Sequence, residues 1–320
     1  MDLHRYSIPR YRQIGSRVLL TDTGGVPCHP DQLEGAEQEA LLDRISSSWN
    51  LVEECRPHVS RPVSSTKPTS TEEWSGLKRW FLSHHLFITQ LALLAACLTT
   101  AASSASLNAQ LAAHWANLAA RLRRGCGALF LYGISVEPVS AIYADTIRSD
   151  MPPAFSGFWI RERQHSFQPA LNRFLRIFPE HAEDNLRARA RQGWDSADRR
   201  YHELHERSMH LAVPNGDSLA DEYRKAHNGK PHKILAAEFE EYDRWFAIDR
   251  SPSVSRLEYV HQYLDLVERA VADLTTGHRL EAPVLSELLD GFRAAMVVFG
   301  HWAGPVSETS KFYPRDLRGE

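Results

Sequence analysis

From about Glu34 to Ala303 the apolar residues recur at steps of three and four, a spacing that builds helices and little else. Ala40, Leu41, Ile45, Trp49 and Val52 form one such stripe, and Leu77, Phe81, His84, Ile88 and Leu91 form another. Read along the chain, the pattern predicts helices over 34–54, 71–100 and 103–124. After Gly125 and Gly127 a further helix is expected over 128–148, then others over 158–178, 181–213, 219–227, 233–246, 254–276 and 282–303. Only Ser16 to Thr21 has the look of a strand, and it ends in the turn signal Gly24-Gly25 and Pro27. The expectation is an all-α fold: a large helical bundle of roughly ten helices over residues 1–320, forming one domain. An irregular or β-hairpin arm should precede it over 1–33, and a mobile connection rich in Pro, Ser and Thr should cross 55–71.

Composition narrows the function. A formal net charge of -3 with 24% charged residues leaves no footprint for nucleic acid. The richest apolar run, Leu86 to Leu98, is interrupted by Thr89 and Gln90, which suits a buried core helix better than a bilayer, so no membrane partner and a cytoplasmic location are expected. Cys28, Cys55, Cys97 and Cys126 are scattered and make no C-x-x-C, which argues against structural zinc, an iron-sulfur cluster and ordinary c-type heme attachment. Neither a glycine-rich nucleotide loop nor a G-x-S-x-G elbow occurs. The apolar stripes permit a homodimer and specify none.

The sequence contains 16 histidines, and their phase on the predicted helices sorts them. His84 falls on the stripe that faces the core, whereas His85 shares a flank with Lys78 and Leu82 and is expected to be the less buried. In the segment Tyr201 to His210, the apolar side includes His205 and excludes His202 and His210. One inward imidazole on a long helix meets the needs of an axial heme ligand, and it equally describes an ordinary hydrogen-bonded core histidine. A rival constellation is Glu162-x-x-His165 with Glu258-x-x-His261, which Glu73 and either Glu238 or Glu241 would complete as a diiron bundle. About one such pair is expected by chance from the Glu and His content. A helical binding protein without a cofactor is the third reading.

Three segments resemble the heme-dependent aromatic oxygenases, the superfamily that includes tryptophan 2,3-dioxygenase. Trp80-Phe-Leu-Ser-His-His85 is similar to that family's distal-helix Phe-Ile-Val-Thr-His-Gln, and the match lands on His84. Ser156-Gly-Phe158 with Arg161 and Arg163 is similar to its Ser-Gly-Phe segment, whose arginine holds the substrate carboxylate; Arg163 has the matching offset. Gly300-x-x-x-Gly304 with Ser307, Thr309, Ser310 and Tyr313 is similar to the loop that closes over the substrate. Where that family carries its axial histidine, nine residues before the first glycine of the loop, this chain has Gly291, and the C-terminal Trp-Arg-Tyr-x-His motif is absent. The nearest resemblance is therefore to the heme-dependent L-tyrosine hydroxylases of actinobacterial natural-product biosynthesis, whose axial histidine comes earlier in the chain.

That resemblance implies a non-covalent heme b, since no His-x-x-x-Cys tether occurs, with His205 as axial ligand and His202 as the fallback. It further implies hydroxylation of L-tyrosine to L-DOPA by hydrogen peroxide, with His84 as distal acid-base. Arg163, or Arg161, would hold the amino-acid carboxylate, and Ser307, Thr309 and Ser310 would bind the ammonium or cover the pocket. Oxidation of tryptophan or indole with dioxygen is the alternative within the same family.

Overall fold

In a computed structural model of the chain, the described residues are 17–27, 35–55, 70–135, 160–180, 185–212, 225, 236–276 and 280–303. Eight α-helices account for most of them. They are α1 (Ala36–Glu54), α2 (Ser70–Ser104), α3 (Ala109–Gly133), α4 (Gln168–Ile177), α5 (Asn185–Ala212), α6 (Ala236–Trp245), α7 (Arg256–Thr276) and α8 (Ala282–Ala303). The fold is all-α, with eight α-helices among the described residues where ten are expected over the whole chain. The expected helix over 219–227, apart from residue 225, and residues 136–159 lie outside the described residues, as do most of the connection over 55–71 and the loop after Ala303.

Two short strands, β1 (Val18–Leu20) and β2 (Ile248–Arg250), pair in parallel with Val18 opposite Ile248. The expected hairpin is thus corrected to a clasp between the start of the chain and the segment after α6. A two-residue turn can join only antiparallel strands, so a parallel partner must come from far along the chain. The other edge of β1 is closed by a side chain: the Gln262 amide on α7 accepts from Leu19 N at 2.6 Å and donates to Leu19 O at 3.0 Å.

Helix α3 is the hub, packing on α2, α5 and α8. Its start is capped by Asn108, whose side chain accepts from Leu111 N at 3.0 Å. The sequence pattern places a break at Gly125 and Gly127; the helix instead runs straight through both. These glycines mark close approach. A Cβ on Gly125 would lie 2.8 Å from the Gly291 Cα of α8, and one on Gly127 would lie 3.0 Å from the Tyr201 Cα of α5. Position 291 therefore has no room for a side chain, least of all an imidazole. Beneath this crossing, Gln90 donates to Leu122 O at 2.8 Å and accepts from the Tyr263 hydroxyl at 3.0 Å, so the polar groups buried there are paired.

Helix α2 is strongly apolar in its second half. Its Lys78–Ser104 stretch is long and apolar enough to cross a membrane, and 78% of the apolar window is buried inside the molecule. It is covered by α3, α4, α7 and the turn preceding α4. That turn, Glu162–Phe167, is a π-helix: Gln168 N–H reaches back to Arg163 O. Pro169 follows, and its missing N–H removes the ordinary bond to His165 O, which favours the wider winding.

Candidate active site

The two arginines that precede α4 stand two residues apart on a helical turn and so face nearly opposite sides. Arg161 points toward α6, where its guanidinium lies 3.6 Å from Asp243 and 5.3 Å from the Phe239 ring centre. A cavity of about 520 Å³ opens beside it, with Arg17, Asp22, Asp243 and Arg250 among its walls. Arg163 is turned the other way and is half-buried, with Tyr201 and Arg123 among the groups that act on its charge. Burial, with Arg123 nearby, disfavours its charge and pulls its pKa down. The two side chains lie in different surroundings.

His205 shares the surroundings of Arg163. Its ring meets Phe130 edge-on at 4.6 Å and lies parallel to Tyr201, one helical turn earlier, at 6.0 Å. The far side of this aromatic wall is a guanidinium: Arg123 stacks on the Tyr201 ring at 3.4 Å and is anchored to Asp198 at 2.8 Å. Burial lowers the His205 pKa to about 4, with His202, Arg163 and Arg123 adding to the effect. The imidazole is neutral at physiological pH, and among the described residues no hydrogen-bond partner faces its nitrogens. His202 and His210 are exposed, each on a loose i,i+4 contact to Asp198 and Glu206.

His84 lies elsewhere on α2, reached from His205 across two ring contacts, Phe130 to Phe87 at 4.8 Å, and one turn of helix. It is partly buried. Its Nδ1 is 2.8 Å from Trp80 O, and since a carbonyl only accepts, Nδ1 carries the proton and Nε2 the lone pair. Trp80 and Phe246 enclose the ring at 4.2 and 4.7 Å, the latter stacked at 15°. Desolvation lowers its pKa to about 4. The expectation that His85 is the less buried of the pair is corrected: His85 is 2% exposed, because the segment after α6 covers that flank and Phe246 O accepts from its Nε2.

The carboxylates of the rival metal reading have other tasks. Glu162 is buried and ion-paired with Arg250, which also holds Asp243; burial pushes its carboxyl up while Arg250 pulls it down. Glu258 forms a capping box with Ser255, accepting from Ser255 N at 2.9 Å and donating its own N–H to Ser255 Oγ at 3.1 Å. Among the described residues, no three His, Cys, Asp or Glu side chains converge in a way that would hold a metal ion. Ser307, Thr309 and Ser310 lie outside the described residues.

A family model described as SfmD 3-methyl-L-tyrosine peroxygenase matches residues 29–188, half of the chain. The chain belongs to this family. The matched stretch carries His84, His85, Arg161 and Arg163 and ends before His205 and Phe246. No curated protein matches the chain. Sequence reasoning missed Arg123 and Phe246. Arg123 hides among the three arginines of α3, with Arg121 and Arg124 beside it, and Phe246 sits at a helix end with nothing local to mark it. Tyr201 was legible, one turn before His205 on the same stripe.

Proposed function

We propose that the protein is a heme-dependent hydroxylase of a tyrosine-type free amino acid that uses hydrogen peroxide, and that its substrate is L-tyrosine, converted to L-DOPA. Membership of a peroxygenase family supports the oxidant and the substrate class. The observation that carries the cofactor reading is His205: a neutral imidazole without a hydrogen-bond partner among the described residues, oriented by two aromatic rings, with two guanidiniums close by. That donor set fits heme b, held through His205 with no covalent tether. When bound, the heme supplies the oxidising chemistry by which one peroxide oxygen enters an aromatic C–H bond and the other leaves as water.

The chain's own residues do the rest. Arg163, half-buried on the side of His205, pairs with the amino-acid carboxylate, the task of the matching arginine in the family the sequence resembles. His84 is a proton acceptor at Nε2: its Nδ1–H is committed to Trp80 O, and its low pKa keeps the lone pair available at neutral pH. Trp80, Phe81 and Phe246 exclude water around it. The protein works in the cytoplasm.

The test is the absorption spectrum of protein expressed with heme precursor, before and after dithionite and carbon monoxide. A Soret band that shifts with both, together with a product 16 mass units heavier than L-tyrosine on addition of peroxide, is the expected result. Parallel turnover of 3-methyl-L-tyrosine ranks the two substrates, and tryptophan with dioxygen probes the dioxygenase alternative. A flat visible spectrum would overturn the reading, and full heme content in His205→Ala would move the ligand to His202.

A further inference from the structure

Two consecutive residues of a helix point about 100° apart, yet His84 and His85 both engage residue 246. His84 stacks on the Phe246 ring, and His85 donates to the Phe246 backbone carbonyl. We propose that His85 and Phe246 are positioning residues for His84: the hydrogen bond from His85 fixes the end of α6, and the Phe246 ring so placed holds the His84 imidazole with Nε2 as its proton-accepting nitrogen. The inference rests on the reading of His84 as the acid-base of the reaction.

Four observations point the same way. His85 is 2% exposed and Phe246 is 1% exposed, so the contact lies in the core and not on a surface where rotamers are cheap. The partners are 161 residues apart, so the bond ties two separate elements. Ala247, the next residue, has φ 50°, a left-handed conformation that costs a non-glycine residue energy and persists only when its surroundings hold it. Its carbonyl is held in turn, accepting from Val18 N of β1 at 3.2 Å, so consecutive carbonyls at 246 and 247 are gripped from opposite sides. Finally, the Phe246 ring also touches Trp80 at 5.2 Å, and Trp80 supplies the carbonyl that orients His84 Nδ1. Ring, carbonyl and imidazole form one closed set around His84. The charged and titratable groups acting on the pair are His85 on His84 and, from α7, Arg269 on His85.

The experiment uses full-length, heme-loaded protein and compares His85→Leu, His85→Gln, Phe246→Leu and His84→Ala. Steady-state kcat, KM for tyrosine, heme content and the pH dependence of kcat are read for each. His85→Leu is expected to lower kcat on the order of tenfold, as a small misplacement of a reacting group does, with heme content and KM little changed. The acid limb of its pH profile should move up from near 4 toward the ordinary 6.5 as the cage loosens. His85→Gln keeps an N–H for the Phe246 carbonyl and should recover most of the rate, an outcome that a role in stability alone would not link to the pH profile. Phe246→Leu keeps the backbone clamp and removes the stacked ring, so it tests the pair even if His85→Leu does not fold. Wild-type kcat and acid limb in His85→Leu or Phe246→Leu, beside a dead His84→Ala, would overturn the inference and leave the functional reading standing. Undiminished turnover in His84→Ala would instead remove the role assigned to His84, and the inference with it.

Discussion

Burial keeps both His84 and His205 neutral, but their surroundings assign them separable tasks. His84→Ala should retain the Soret band and lose turnover by roughly 10² to 10⁴, the contribution typical of a positioned general acid-base; single-turnover mixing with peroxide checks it. Arg163 offers a charge-assisted pair, worth about 1.5–3 kcal/mol. Arg163→Leu is therefore expected to raise KM for the amino acid roughly tenfold to a hundredfold at unchanged heme content, measured by substrate titration. At this scale the sequence was informative about phase. The stripe separated His205 from His202 and His210, but it misjudged His85, because what covers that flank is a segment 161 residues away and periodicity carries no information about distant partners.

Among elements, the α3–α8 crossing brings backbone against backbone, and it yields a contrast between glycines. Gly291→Ala would place a methyl 2.8 Å from the Gly125 Cα, where only backbone can yield. It should cost about 1–3 kcal/mol or more, the range for overpacking. Gly193→Ala, in α5 with nothing within 4 Å of the added carbon, should instead gain up to about 1 kcal/mol. Denaturant unfolding of the two variants beside wild type measures both signs. The helices themselves were legible because apolar spacing is a local signal. The continuity of α3 through Gly125 and Gly127 was not, since a glycine that permits close packing and one that breaks a helix look alike until the neighbour is known. The parallel clasp of β1 on β2 escaped for the same reason.

For the whole molecule, the buried histidines set a pH limit. His84 and His85 have folded pKa values near 4 against about 6.5 when unfolded. Above 6.5 neither state binds the extra protons. Between 6.5 and 4 the unfolded chain takes them first, so stability is full above that window and falls as pH drops through it. The loss should reach on the order of a few kcal/mol by pH 4, and calorimetric melting temperatures from pH 7.5 to 4 would register it. His85→Gln, which cannot titrate, should flatten the slope. The clasp between β1 and β2 also bears on how the protein is made. Its strands, and the grip of Gln262 on Leu19 across 243 residues, join an earlier-made part of the chain to one made much later. Helices α2 and α3 can pair early, but the face of α2 that meets α7 and the face of α3 that meets α8 stay uncovered until those later helices are made. His84 is made long before Phe246, which means that the half of the chain bearing the family signature cannot assemble this site by itself and must wait for a residue about 160 positions later.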